Sequence, residues 1–154
     1  MIQKFRAWLK KEKRMVETDN LLDIDYEYNE VQTQEIYFVN GLPDDRDLES
    51  FSFEDVILMQ STGVKDLNGI EIFEGDILET QGVRMVVKFG SYNYIEPSNS
   101  GCGAMDYMYD GLGFYVELIN VVFLDGISPF EPETLKESIV IGNRFENPEF
   151  LKEV

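Results

Sequence analysis

The sequence predicts a mainly β fold, β-rich α+β in class, with an N-terminal hairpin and a short C-terminal helix. Three observations lead there. Val83, Met85 and Val87 share one parity in GVRMVVKFG, behind the turn pair Gln81-Gly82. Asn40-Gly41, Asn68-Gly69 and Glu74-Gly75 punctuate runs of β-forming residues in the same way. Finally, 154 residues that are 44% hydrophobic and 13% aromatic hold enough apolar surface for one folded domain despite a net charge of -17.

In chain order, IQKFRAWLKKEKRMVE reads as two short β-runs around the polar turn Lys10 to Lys13, with Phe5 and Ala7 on one face and Arg6 and Trp8 on the other. Ile24, Tyr26 and Tyr28 share a parity in the next run, and Glu35 to Val39 forms another, closed by Asn40-Gly41. After Pro43 the acidic stretch DDRDLES is expected to make one helical turn. The apolar run Val56 to Met59 is expected to be a core strand.

Strands are predicted over Ile70 to Ile72, Asp76 to Thr80, Val83 to Phe89 and Phe114 to Leu118. Between the last two, Gly90 to Gly113 breaks periodicity with five glycines and a proline, which predicts a long irregular loop. ISPFEPETLKES is expected to carry a helical turn before the strand SIVIGN. Asn147 as cap, Pro148 at the first helical position and Glu149 in the first turn predict the terminal helix.

The chain has no histidine. That removes Ser-His-Asp and Cys-His pairs, HExxH zinc sites and histidine proton shuttles. The lone Cys102 cannot close an intrachain disulfide, which points to a reducing cytosol, and no neighbouring cation depresses its pKa to make it a reactive thiol. No apolar run has signal-peptide or membrane-helix length, so secretion and membrane association are not expected. Residues 1 to 14 hold six cations against one acid, a formal +5. Seven cations and 29 acids, or -22, remain for residues 15 to 154. Such a body repels nucleic-acid phosphate, and the cationic start reads as a solvated hairpin tip.

The stretch STGVKDLNGIEIFEGDILE, Ser61 to Glu79, crowds three glycines and five acids into nineteen residues. Its DxNG invites comparison with a calcium loop. With Gly69 at the sixth position, Asp66 and Asn68 fall on ligand positions, but Val64 takes the first position and Gly75 the twelfth. Two required oxygen ligands are missing. A type I′ turn at Asn68-Gly69, with the acids facing water, accounts for more residues. The remaining ionic alternative is a weak carboxylate site from Glu71, Glu74 and Asp76.

KFRAW at Lys4 to Trp8, LMQSTGVKDLNGIEIFEGDIL at Leu58 to Leu78, VVKFG at Val86 to Gly90, GFYVE at Gly113 to Glu117 and VIGNRFENPEFL at Val140 to Leu151 together resemble the YopX family of phage and prophage proteins. The turn LKKEK and the stretch Ser91 to Asp110 depart from the family's pattern. The resemblance implies a single YopX-like domain over residues 1–154, mostly β, with an N-terminal β subregion at 1–57 and a barrel-like core at 58–146. It also implies a protein of the bacterial cytoplasm. EGDIL followed by VRMVVKFG is similar to the opening strands of SH3-like barrels, so the expected sheet is a small SH3-like barrel type.

The family carries no catalytic residue onto this chain, and no catalytic, cofactor-binding or metal residue is assigned. The expected function is that of a non-enzymatic accessory protein binding a host or phage protein through a recognition loop bearing Tyr92, Tyr94, Tyr107 and Tyr109. One form of it is nucleic-acid mimicry by rows of carboxylates. The alternatives are a carboxylate- or Mg/Mn-dependent enzyme and a nucleic-acid binder using the cationic N-terminus and Trp8. Self-association into a homo-oligomer is left open.

Overall fold

A computed structural model describes residues 2–96, 107–120 and 126–152. The fold is mainly β and includes a curled, half-barrel sheet. Its contacts divide the chain into two compact units, Met1–Ser61 and Thr62–Val154.

In the first unit the strands β1 (Phe5–Leu9) and β2 (Arg14–Val16) form the expected hairpin, in the register Ala7 opposite Val16 and Leu9 opposite Arg14. Lys13 closes the polar turn at φ 52°, its amide donating to Leu9 O. The strands β3 (Leu21–Asp25), β4 (Glu30–Val39) and β5 (Leu42–Ser52) make a three-stranded antiparallel sheet. Strand β6 (Val56–Lys65) starts in this unit, where it pairs with β1 from Val56 opposite Leu9 to Gln60 opposite Phe5. Ala7, Leu9, Val16, Val31 and Val56 are buried together as the unit's core.

Two expectations for this unit differ from the structure. Tyr26 and Tyr28 lie in the turn between β3 and β4, where the Asp25 carboxylate accepts the amides of Glu27 and Tyr28. An aspartate that captures amides two and three residues ahead ends the strand, whatever the parity beyond it. The stretch DDRDLES is strand, not a helical turn, because the hairpin closed by Asn40 and Gly41, at φ 53° and 78°, carries it back along β4. That pair of positive φ angles is the two-residue turn that matches strand twist.

In the second unit the end of β6 borders β7 (Glu71–Phe73). The strands β8 (Asp76–Thr80), β9 (Val83–Glu96), β10 (Tyr107–Leu118), β11 (Ile127–Pro129) and β12 (Ile139–Asn143) form one sheet in the order β11-β10-β9-β8-β12. Every pairing in it is antiparallel. Ile72, Leu78, Met85, Val87, Val116 and Leu135 form the core. Leu135 comes from the single turn α1 (Pro132–Leu135), the excursion expected between β11 and β12. The terminal helix is a 3-10 turn, Pro148–Leu151, and Asn147 does not cap it: its side-chain oxygen accepts the Asn143 amide.

The β6–β7 connection is a tight turn, but of another type than Asn68-Gly69 suggested. Only Gly69 has positive φ, +80°. Gly69 N donates to Asp66 O, and Asp66 N donates to Ile70 O, the pattern of a type I turn followed by a glycine bulge. No atom crowds a Cβ built at Gly69, so replacement acts through the backbone alone. Gly69→Val is therefore expected to cost about 1–3 kcal/mol, the price of a left-handed β-branched residue, read as a lower melting temperature.

Candidate functional site

Tyr92, Tyr94, Tyr107 and Tyr109 stand on paired strands, not in an irregular loop. β9 continues through Glu96 and β10 begins at Tyr107, so residues 90–96 and 107–113 form an antiparallel ribbon. The remainder of the expected loop, residues 97–106 with Cys102 among them, lies outside the described residues. The ribbon extends past the neighbouring strands: β8 pairs with β9 only as far as Val86, and β11 with β10 only over Tyr115 to Glu117.

At the ribbon's root Gly90 faces Gly113 across the ladder, at φ +146° and +132°. L-residues rarely adopt these values, so this rung of two glycines lets both strands depart together from regular sheet geometry.

Register puts the tyrosines on one face. Tyr94 is opposite Tyr109, Tyr92 opposite Gly111 and Glu96 opposite Tyr107, while Tyr115 shares their parity on β10. Their rings form a continuous row. Tyr115 stacks on Tyr92 at 4.7 Å, Tyr92 meets Tyr94 at 5.8 Å, Tyr94 stacks on Tyr109 at 5.4 Å, and Tyr109 meets Tyr107 at 6.4 Å. Offset aromatic pairs in this range each contribute about 0.5–1.5 kcal/mol beyond area burial. Tyr107 remains 61% exposed and Tyr109 41%, so the row's outer end is open to solvent. Gly111 makes room for it: a Cβ there would collide with the Tyr92 ring.

Sequence reasoning missed Tyr115. Tyr115 lies in the predicted strand Phe114 to Leu118, and the pairing of β10 with β9 shows that it continues the row; its even spacing from Tyr109 along the chain is the available signal.

Below the row, on the same face, Lys88 and Glu117 form an ion pair. They line a cleft of about 330 Å³ with Val86, Ile119, Arg144 and Leu151. The ribbon's other face is also uncovered: Ile95, Met108 and Leu112 are 39%, 70% and 82% exposed. A two-stranded ribbon with an aromatic face and an aliphatic face, both wet, has no core of its own to explain them.

The acids of Ser61 to Glu79 were expected to face water, and two of them do not. Asp66 is buried, and its carboxylate accepts three main-chain amides: Asn68 and Ile70 on one oxygen at 2.9 and 2.8 Å, and Val140 of β12 on the other at 2.9 Å. Asp76 is buried and accepts the Phe73 amide at 2.8 Å. Both are turned inward because buried amides at these turns need acceptors. Among the described residues, no group of three or more acidic or thiol side chains is placed to hold a metal ion.

The profile of the family described as YopX protein matches residues 4–152. No curated protein matches. Among solved structures, protein EF1440 from Enterococcus faecalis is similar, at 30% identity and a TM-score of 0.50 over 99% of both chains.

Proposed function

Since the chain belongs to the YopX family, we propose that it is a non-enzymatic binding module that engages a host or phage protein in the bacterial cytoplasm through the tyrosine ribbon of β9 and β10. The observation that carries this reading is the row of five tyrosines in ring contact, four of them on a ribbon reaching past its sheet and the fifth, Tyr115, at its base. Tyrosine offers a large, amphipathic contact surface at small conformational-entropy cost, which is why it is enriched at recognition surfaces. Stacking fixes the rings before a partner arrives, and binding then orders fewer rotamers. No described helix is long and apolar enough to cross a membrane.

The test compares the natural chain with one in which Tyr92, Tyr94, Tyr107 and Tyr109 are serine, as bait in prophage-induced bacterial cells. The expected result is a stoichiometric partner on the natural chain, its loss from the variant, and a core that still melts cooperatively. Gly111→Ala, which displaces the Tyr92 ring, is expected to weaken capture with little change in melting temperature. A variant that captures the same partner undiminished, or one that cannot fold, retires the tyrosine row as a recognition surface.

A further inference from the structure

The first unit carries a second ribbon, whose charges stand where strand pairing disfavours them. β3 meets β4 only as far as Thr33, so β4 and β5 continue beyond it as a pair. Register sets Glu35 directly opposite Asp47, Tyr37 opposite Asp45 and Thr33 opposite Glu49, all on one face. Four exposed carboxylates, Glu35, Asp45, Asp47 and Glu49, therefore share that face. Like charges directly across a ladder destabilise it. Arg46, the one cation between residues 30 and 55, points to the other face and donates to Gln34. The Tyr37 hydroxyl donates to Asp47 at 2.9 Å, and chiefly this bond, with the charges of Asp47 and Glu35, pushes its pKa up to about 12.

The outer edge of β5 is open as well. Among the described residues β5 pairs only with β4, and every side chain from Leu42 to Ser50 is exposed. Edges of this length attract further strands unless blunted. Pro43, the bulge at Asp44 and the Asp45 carboxylate, which accepts the Arg46 amide at 2.8 Å, blunt the end near the turn, which leaves Asp47 onward able to pair. The carboxylates on β5 repeat every second residue, about 7 Å apart, too far to close on one metal ion but matched to alternate side chains of a strand.

We infer that the outer edge of β5 is a docking site for an extended cationic polypeptide, which joins the sheet by main-chain hydrogen bonds and sets alternate lysine or arginine side chains over the Asp45, Asp47 and Glu49 face. Strand addition gives affinity through the backbone, and charge complementarity fixes face and register. A second copy pairing through its own β5 would bring carboxylates onto carboxylates, and nucleic acid is repelled outright. The site is independent of the tyrosine ribbon, so each stands or fails alone.

The probe is a synthetic peptide of about ten residues, the length of a long strand, alternating lysine and valine; the control alternates lysine and glycine at equal charge. Against the full chain, the lysine–valine peptide is expected to bind saturably, to slow amide exchange in β5 and to weaken as salt rises. The control should bind at least about tenfold more weakly, and the variant Asp45→Asn, Asp47→Asn, Glu49→Gln should lose at least about tenfold in affinity. That variant is expected to melt no lower than the natural chain, since repulsion is removed. Asp47→Lys, which turns the repulsive rung into an attractive one, should fold and also reject the peptide. Equal binding of the two peptides, exchange slowed elsewhere than β5, or self-association of the chain through this ribbon would overturn the inference.

Discussion

Asp66→Ala is expected to lower the free energy of unfolding by about 3 kcal/mol, because hydrogen bonds to a charged group contribute about 1.5–3 kcal/mol each and three are lost together. The carboxylate joins two elements distant in sequence. One oxygen holds the Asn68 and Ile70 amides inside the turn, and the other holds Val140 on β12. Partly exposed amides recover some of the loss by turning to water, which keeps the figure below the full sum. Asp66→Asn keeps one acceptor oxygen and should fall about midway. The measurement is a urea titration: the midpoint should drop with an unchanged slope if only native contacts are removed. Equal stability of the alanine variant would mean that the turn stands without its clamp.

Gly90→Ala with Gly113→Ala is expected to cost about 4 kcal/mol, at about 1–3 kcal/mol for each residue held where L side chains are rarely found. Crowding is not the reason, since no atom lies within 4 Å of a Cβ built at either position. The penalty is conformational, and the ribbon can escape it by leaving its present course. Amide exchange separates the outcomes. Faster exchange confined to residues 91–96 and 107–112 places the strain in the ribbon, and a lower global midpoint places it in the sheet.

Shared parity at a core face and charged or glycine turns were legible. Met85 and Val87 share a parity and enter a core, with Val86 buried on the opposite side between the half-buried Arg84 and Lys88, and the hairpin at Lys10 to Lys13 announced itself by charge. Where both faces are wet, the contrast between polar and apolar parity disappears. Ser91 to Glu96 and Tyr107 to Leu112 set tyrosines at alternate positions but place Ile95, Met108 and Leu112 on the other side, so a window of sequence sees apolar residues at both parities. DDRDLES failed for a related reason: its partner strand, not its composition, makes it β. The clamp at Asp66 was illegible because one of its donors sits on β12, and local sequence names only the turn.

The glycine rung has a further consequence for how this protein could diversify. Beyond Gly90 and Gly113 the ribbon shares no ladder with a third described strand, so its length is uncoupled from the sheet beneath. Adding one residue to each strand next to the rung swaps the two faces, turning Tyr92, Tyr94, Tyr107 and Tyr109 to the side where Met108 and Leu112 now stand and leaving Tyr115, below the rung, in place. Adding two to each strand lengthens the arm and keeps the faces. Descendants of such a chain can therefore change reach in even steps and change surface chemistry in odd ones, while the residues that hold the fold together stay untouched.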